Sequence, residues 1–99
     1  MTCNIVFAGG SCGATMIRAG QKLTDLCDQE GLRVHVQYLD LWTTDFIRPN
    51  VRLVVEMFPY YHGLPIPVFN GRPFLSRSGE DELLAKLVAA IKEISAHET

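Results

Sequence analysis

The sequence predicts a three-layer α/β domain in which helices flank a four-stranded, mainly parallel sheet. Three observations predict it. Ile5-Val6-Phe7-Ala8 is a continuous apolar run, the pattern of a strand buried on both faces. Two long segments of helical period, one directly after that run and one near the end of the chain, carry clear apolar stripes. Between them, strand-like runs alternate with helical ones, an order that builds a parallel sheet rather than hairpins.

The elements follow in order. Gly9-Gly10-Ser11 breaks the first strand, and a helix is expected from about Gly13. Its stripe is Met16, Ala19, Gly20, Leu23, Leu26 and Cys27, with Arg18, Gln21, Lys22, Asp25 and Asp28 elsewhere; Gly31 closes it. Leu32, Val34, Val36 and Tyr38 alternate with Arg33, His35 and Gln37, a second strand with one wet face. Trp42 and Phe46 lie one helical turn apart before Pro49 and Asn50, which predicts a short helix. Val51 to Met57 reads as a third strand. Three prolines and a glycine make "FPYYHGLPIP" an irregular loop. Val68-Phe69 is a brief fourth strand, and Asn70-Gly71 a turn. Ser78 is the expected N-cap of a last helix through about Ile94, with Glu80, Asp81 and Glu82 at its positive end. Leu84, Leu87, Val88, Ile91 and Ile94 form its apolar stripe.

A right-handed first crossover gives a Rossmann-like or phosphatase-like topology. Ligands of such sheets bind beyond the carboxyl ends of the strands, where strand order reverses. The loop over residues 8 to 15 opens onto that place.

Bulk properties narrow the function. Ninety-nine residues make a single domain, residues 1–99, large enough to bury a core without metal or disulfide staples. The chain is 47% apolar and 20% charged, ordinary values for a globular protein. A net charge of −2 and scattered basic residues give no footprint for nucleic acid. No apolar run reaches the length of a membrane span, and the N-terminus does not read as a signal peptide. Cys3, Cys12 and Cys27 are odd in number and follow no framework or metal-ligand spacing, and His35, His62 and His97 lie far apart. We therefore expect thiols in a reducing cytoplasm and no metal or cofactor.

The chemistry centres on "GGSCGAT", residues 9 to 15. A glycine-rich turn that feeds a helix start aims backbone N–H groups, and the positive end of the helix dipole, at one point. That cradle holds an oxyanion without a basic side chain, and it lowers the pKa of a thiol placed in it. Cys12 is the candidate nucleophile, with Gly9, Gly10, Ser11, Gly13, Ala14 and Thr15 as the phosphate-binding loop. The alternative is structural: Cys12 as a small apolar residue in a tight turn. Cys27, on the apolar stripe, reads as core, and Cys3, at the far end of the first strand, as a bystander.

Two accessory candidates are Arg18 and His62. Cys12 and Arg18 fit C-x5-R, the loop of cysteine phosphatases, but Ala19 follows the arginine and no Asp-Pro supplies a general acid. A solvated helix residue is the simpler reading of Arg18. His62 follows the third strand at the same sheet edge as Cys12, where it pairs with a thiolate or is merely a surface histidine. Tyr60 and Tyr61 beside it form either a contact surface or a cover for the sheet.

The C-terminal "IPVFNGRPFLSRSGEDELLAKLVAAIKEI" resembles the galactitol-type enzyme IIB component of the sugar phosphotransferase system. That family shows Ile-Pro, an apolar pair, Gly-x-Pro-Phe and a Ser/Gly segment before the last helix. The N-terminal "IVFAGG…AT" and a helix ending "LC" are similar too, so the resemblance runs through nearly all the chain. It implies a cytoplasmic phosphoryl carrier without metal or diffusible cofactor. Such a domain takes phosphate from enzyme IIA onto a cysteine and passes it to a sugar or polyol bound by the membrane enzyme IIC. The family places that cysteine directly after the first strand. Ala8 or Gly9 holds the position here, and Cys12 comes three or four places later. A carrier using Cys12 and a non-catalytic, anion-binding relative with a regulatory partner therefore both remain open. A small C-x5-R phosphatase or arsenate reductase is the third reading.

Overall fold

The computed structural model describes residues 3–9, 13–40, 50–57 and 66–97. In chain order they form β1 (Cys3–Gly9), α1 (Gly13–Gln29), β2 (Val34–Asp40), β3 (Leu53–Glu56), β4 (Val68–Asn70), α2 (Arg72–Ser76) and α3 (Glu80–His97). The four strands of the described residues make one sheet in the order β2-β1-β3-β4, and each neighbouring pair is parallel. The expected α/β architecture is the one observed. The short helix expected around Trp42 and Phe46 falls outside the described residues, as do Tyr60 and Tyr61.

Alternation along β1 sends its side chains to two separate cores. Ile5 and Phe7, both fully buried, face the helices with Leu53 and Val55 of β3. Against them pack Met16, Ala19, Leu23 and Cys27 of α1, Phe74 of α2, and Leu84, Leu87 and Ile91 of α3. Val6, Ala8 and Val54 point to the opposite face and are buried with Val51, with Leu39, Ile66 and Val68 packed against them. The aromatic rings stack in a row: Phe7 lies 6.0 Å from Phe74 and 6.2 Å from Tyr38, both tilted. Offsets of this kind add about 0.5–1.5 kcal/mol per pair to the area buried.

The C-terminus of α1 is closed by its own backbone. Leu32 N–H donates to the Cys27 carbonyl at 2.8 Å and Gly31 N–H to the Asp28 carbonyl at 3.1 Å. Gly31 sits at φ +73, the left-handed conformation that this Schellman arrangement requires and that a Cβ would strain. The glycine expected to end the helix does so.

Three details correct the sequence reading. The last helix begins at Glu80, so Ser78 is not its N-cap; the Gly79 carbonyl accepts the first helical bond from Leu83 N–H at 3.0 Å. Strand β3 is shorter than Val51 to Met57, while β2 extends past Tyr38 to Asp40. The turn at Asn70-Gly71 leads directly into α2, which was not anticipated. There the Asn70 side-chain oxygen accepts from Arg72 N–H at 3.0 Å, and Pro73 occupies the first turn, where its missing N–H costs nothing.

The Gly-Arg-Pro-Phe segment thus has a packing role. Gly71 N–H donates to the Glu56 carbonyl at 2.6 Å. A Cβ at Gly71 would lie 2.7 Å from Met57 Sδ and 2.9 Å from a Val55 methyl, so a larger residue requires these side chains of β3 and the turn after it to shift. Phe74, one turn on, is fully buried.

Candidate functional site

The chain passes from β1 to β2 on one side and returns to β3 on the other, so strand order reverses between β1 and β3. The carboxyl ends of these strands meet where Met57 N–H donates to the Ala8 carbonyl at 2.9 Å. A crevice outside such a reversal is where open α/β sheets bind ligands. Beside this point β1 ends at the buried Gly9, and α1 starts at Gly13.

Of the loop candidates, Gly9, Gly13, Ala14 and Thr15 are described; Gly10, Ser11 and Cys12 lie outside the described residues, as does His62. The described part suits an anion. The first turn of α1 contains no acidic residue, so nothing there opposes negative charge at the positive end of a 17-residue helix. Gly13 and Ala14 are exposed and Thr15 half-buried. Among the described residues, a Cβ built on Gly13 would meet no atom within 4 Å.

Arg18 is placed differently from a solvated helix residue. Its guanidinium donates to Glu80 Oε1 at 2.8 Å and to the Phe74 carbonyl at 3.0 Å, tying α1 to the junction of α2 and α3. Lys22 Nζ reaches the other Glu80 oxygen at 3.4 Å. Burial pushes the Glu80 carboxyl up, but hydrogen bonds and charge from Arg18 and Lys22 outweigh it and hold the group below its ordinary range. Neither Glu80 nor the Phe74 carbonyl was anticipated as a partner for Arg18. The acidic start of the last helix was visible in sequence, but its contact lies 62 residues from Arg18.

The other thiols sort as the stripe implied. Cys27 is fully buried, and burial, helped by Cys3, Asp28 and Glu30, pushes its thiol up to about 11. Cys3 is buried at the opposite end of β1 from the loop. Among the described residues, no helix is long and apolar enough to cross a membrane.

Comparison with protein-family models, with curated proteins and with solved structures gave no match to this chain.

Proposed function

We propose that this chain is a cytoplasmic phosphoryl-carrier domain, a galactitol-type enzyme IIB of a sugar phosphotransferase system, with Cys12 as acceptor. The observation that carries the reading is the place of the first loop. It joins β1 to an acid-free helix start at the point where strand order reverses. The resemblance of "IPVFNGRPF" and the segment after it to that family supplies the identity of the reaction.

In this reading the Cys12 thiolate attacks the phosphorus of a phosphohistidine on enzyme IIA. The S–P bond forms, the P–N bond breaks, and the electron pair returns to the imidazole, which takes up a proton. Backbone N–H groups of Gly13, Ala14 and Thr15, with the loop glycines, neutralise charge building on the phosphoryl oxygens. A hydroxyl oxygen of the sugar or polyol held by enzyme IIC then attacks phosphorus. The S–P bond breaks, the thiolate is regenerated, and the hydroxyl proton passes to a base or to water. A carrier must protect its phosphocysteine until that encounter, so spontaneous release of phosphate is slow.

The presence of Ala8 and Gly9 at the family's acceptor position favours a second reading, a non-catalytic relative whose loop binds an anion while its surface docks a regulatory partner. A phosphatase reading would need Arg18 on the phosphate, whereas its guanidinium is held by Glu80 and Phe74.

Intact mass spectrometry decides. The chain and its Cys12→Ser variant are each mixed with phosphoenolpyruvate, enzyme I, the phosphocarrier protein and a matched enzyme IIA. Gain of one phosphoryl group by the wild type alone is the expected result. No gain by either protein, with enzyme IIA itself phosphorylated, selects the non-catalytic reading.

A further inference from the structure

The two edges of the sheet are treated very differently. Strand β4 is three residues long and follows Pro67, the kind of edge that does not recruit another strand. Strand β2 is seven residues long, and from Val34 to Leu39 it carries no formal charge at neutral pH, no proline, no glycine and no lysine. No strand of the described residues pairs with its outer side. Every residue from Val34 to Leu39 is at least partly exposed, whereas β1 is buried at all positions but Asn4.

The backbone direction of β2 can be read from one bond. Cys3 N–H donates to the Arg33 carbonyl at 2.9 Å, so the peptide groups of Arg33, and by alternation those of His35, Gln37 and Leu39, face β1. Those of Val34, Val36, Tyr38 and Asp40 therefore face outward. From this we infer that β2 is a homodimerisation edge, at which a second copy of this chain adds its own β2 antiparallel across a two-fold axis at Gln37.

A two-fold axis perpendicular to the sheet pairs a residue with its own copy at the centre, and the register centred on Gln37 engages all four outward-facing residues. Val36 pairs with Tyr38 of the second copy and Val34 with Asp40, each through mutual N–H to carbonyl bonds. On the helix-bearing face, Val36 meets the Tyr38 ring, a favourable β-branched to aromatic pair. On the other face the two Gln37 side chains meet each other, and their amides are self-complementary donors and acceptors. Formal charge enters the strand sequence only at its ends, at Arg33 and Asp40. Two sheets of four strands become one continuous sheet of eight, and the two β1–α1 loops lie at its opposite ends. The inference does not rest on the proposed phosphoryl transfer.

Cross-linking and sedimentation test it together. In a Cys12→Ser background, Gln37→Cys should give a disulfide-linked dimer under mild oxidation. Opposed residues at a non-hydrogen-bonded position lie about 4.5 Å apart at Cα, within disulfide range. His35→Cys should not, because its own copy lies roughly 14 Å away along the strand. Sedimentation of the wild type over a concentration series should show a monomer–dimer equilibrium. Gln37→Lys, which sets two ammonium groups face to face, should weaken it by roughly fivefold or more, with the monomer's circular dichroism unchanged. A wild type that stays monomeric overturns the inference. So does a dimer indifferent to Gln37→Lys, or one that cross-links through His35→Cys and not Gln37→Cys. Should the lysine variant fail to fold, the cysteine pair alone decides.

Discussion

The two ends of α1 show opposite solutions to the same problem. A helix leaves carbonyls unpaired at one end and N–H groups at the other. At Gly31 the chain turns left-handed and satisfies the carbonyls internally, with Leu32 pressed onto the core beside Cys27. At Gly13 the side chains are small, and acidic residues are missing from the first turn. One end is finished by the chain's own turn; the other starts without an acidic side chain in its first turn. Arg18 lies between them and fixes the helix to its neighbours at Glu80 and the Phe74 carbonyl.

The largest test of this division removes the anchor. Phe74→Ala deletes a fully buried ring against Phe7 and loosens the turn whose carbonyl holds Arg18. We expect a loss of about 3–5 kcal/mol in chemical unfolding. A loss under about 1 kcal/mol would mean that α2 is dispensable to the position of α1.

Arg18→Ala is next, at about 1–3 kcal/mol, because it leaves a Glu80 side chain that is only 11% exposed with Lys22 as its remaining charged partner at 3.4 Å. Its signature lies in the pH profile. Glu80 has a folded pKa below its unfolded one, so its contribution is present above the unfolded value and is lost as pH falls through the folded value. Glu80→Gln should flatten this part of the acid limb, and Arg18→Ala should do the same. An unchanged acid limb in both variants would remove the clamp from the account.

The smallest effects give the cleanest contrast. Gly31→Ala should cost about 1–2 kcal/mol, because alanine strains at φ +73. Gly13→Ala should instead stabilise by about 0.4–1 kcal/mol, since its φ is not positive and a Cβ there meets no atom of the described residues within 4 Å. Thermal denaturation of the two variants side by side reads the comparison directly. Equal shifts of the same sign would erase the distinction between the two ends.

Local signals carried most of the fold. The unbroken apolar run of β1, the 3.6-residue stripe of α1 and the glycine after it are each set by neighbours a few residues apart, and each stands as read. The helix α2 was missed because five residues cannot show a period, and Pro73 reads as a breaker unless it is known to lie in a first turn. Ser78 looked like a cap by type, yet Gly79 supplies the carbonyl because the chain enters α3 at φ +80. At the candidate site the reversal of strand order and the helix start at Gly13 were legible from the strand–glycine–helix pattern. The partners of Arg18 were not, since a contact across 62 residues exists only once three helices have packed. The place of Cys12 and His62 lies outside the described residues.

Burial of Cys3 and Cys27 turns sulfur into a clock. At neutral pH a thiol held near 11 is almost never a thiolate, and within a packed core no alkylating reagent reaches it. Modification of these two positions must wait for the sheet and α1 to come apart. Their labelling rate in native buffer therefore reports the frequency of global opening, without denaturant or heat.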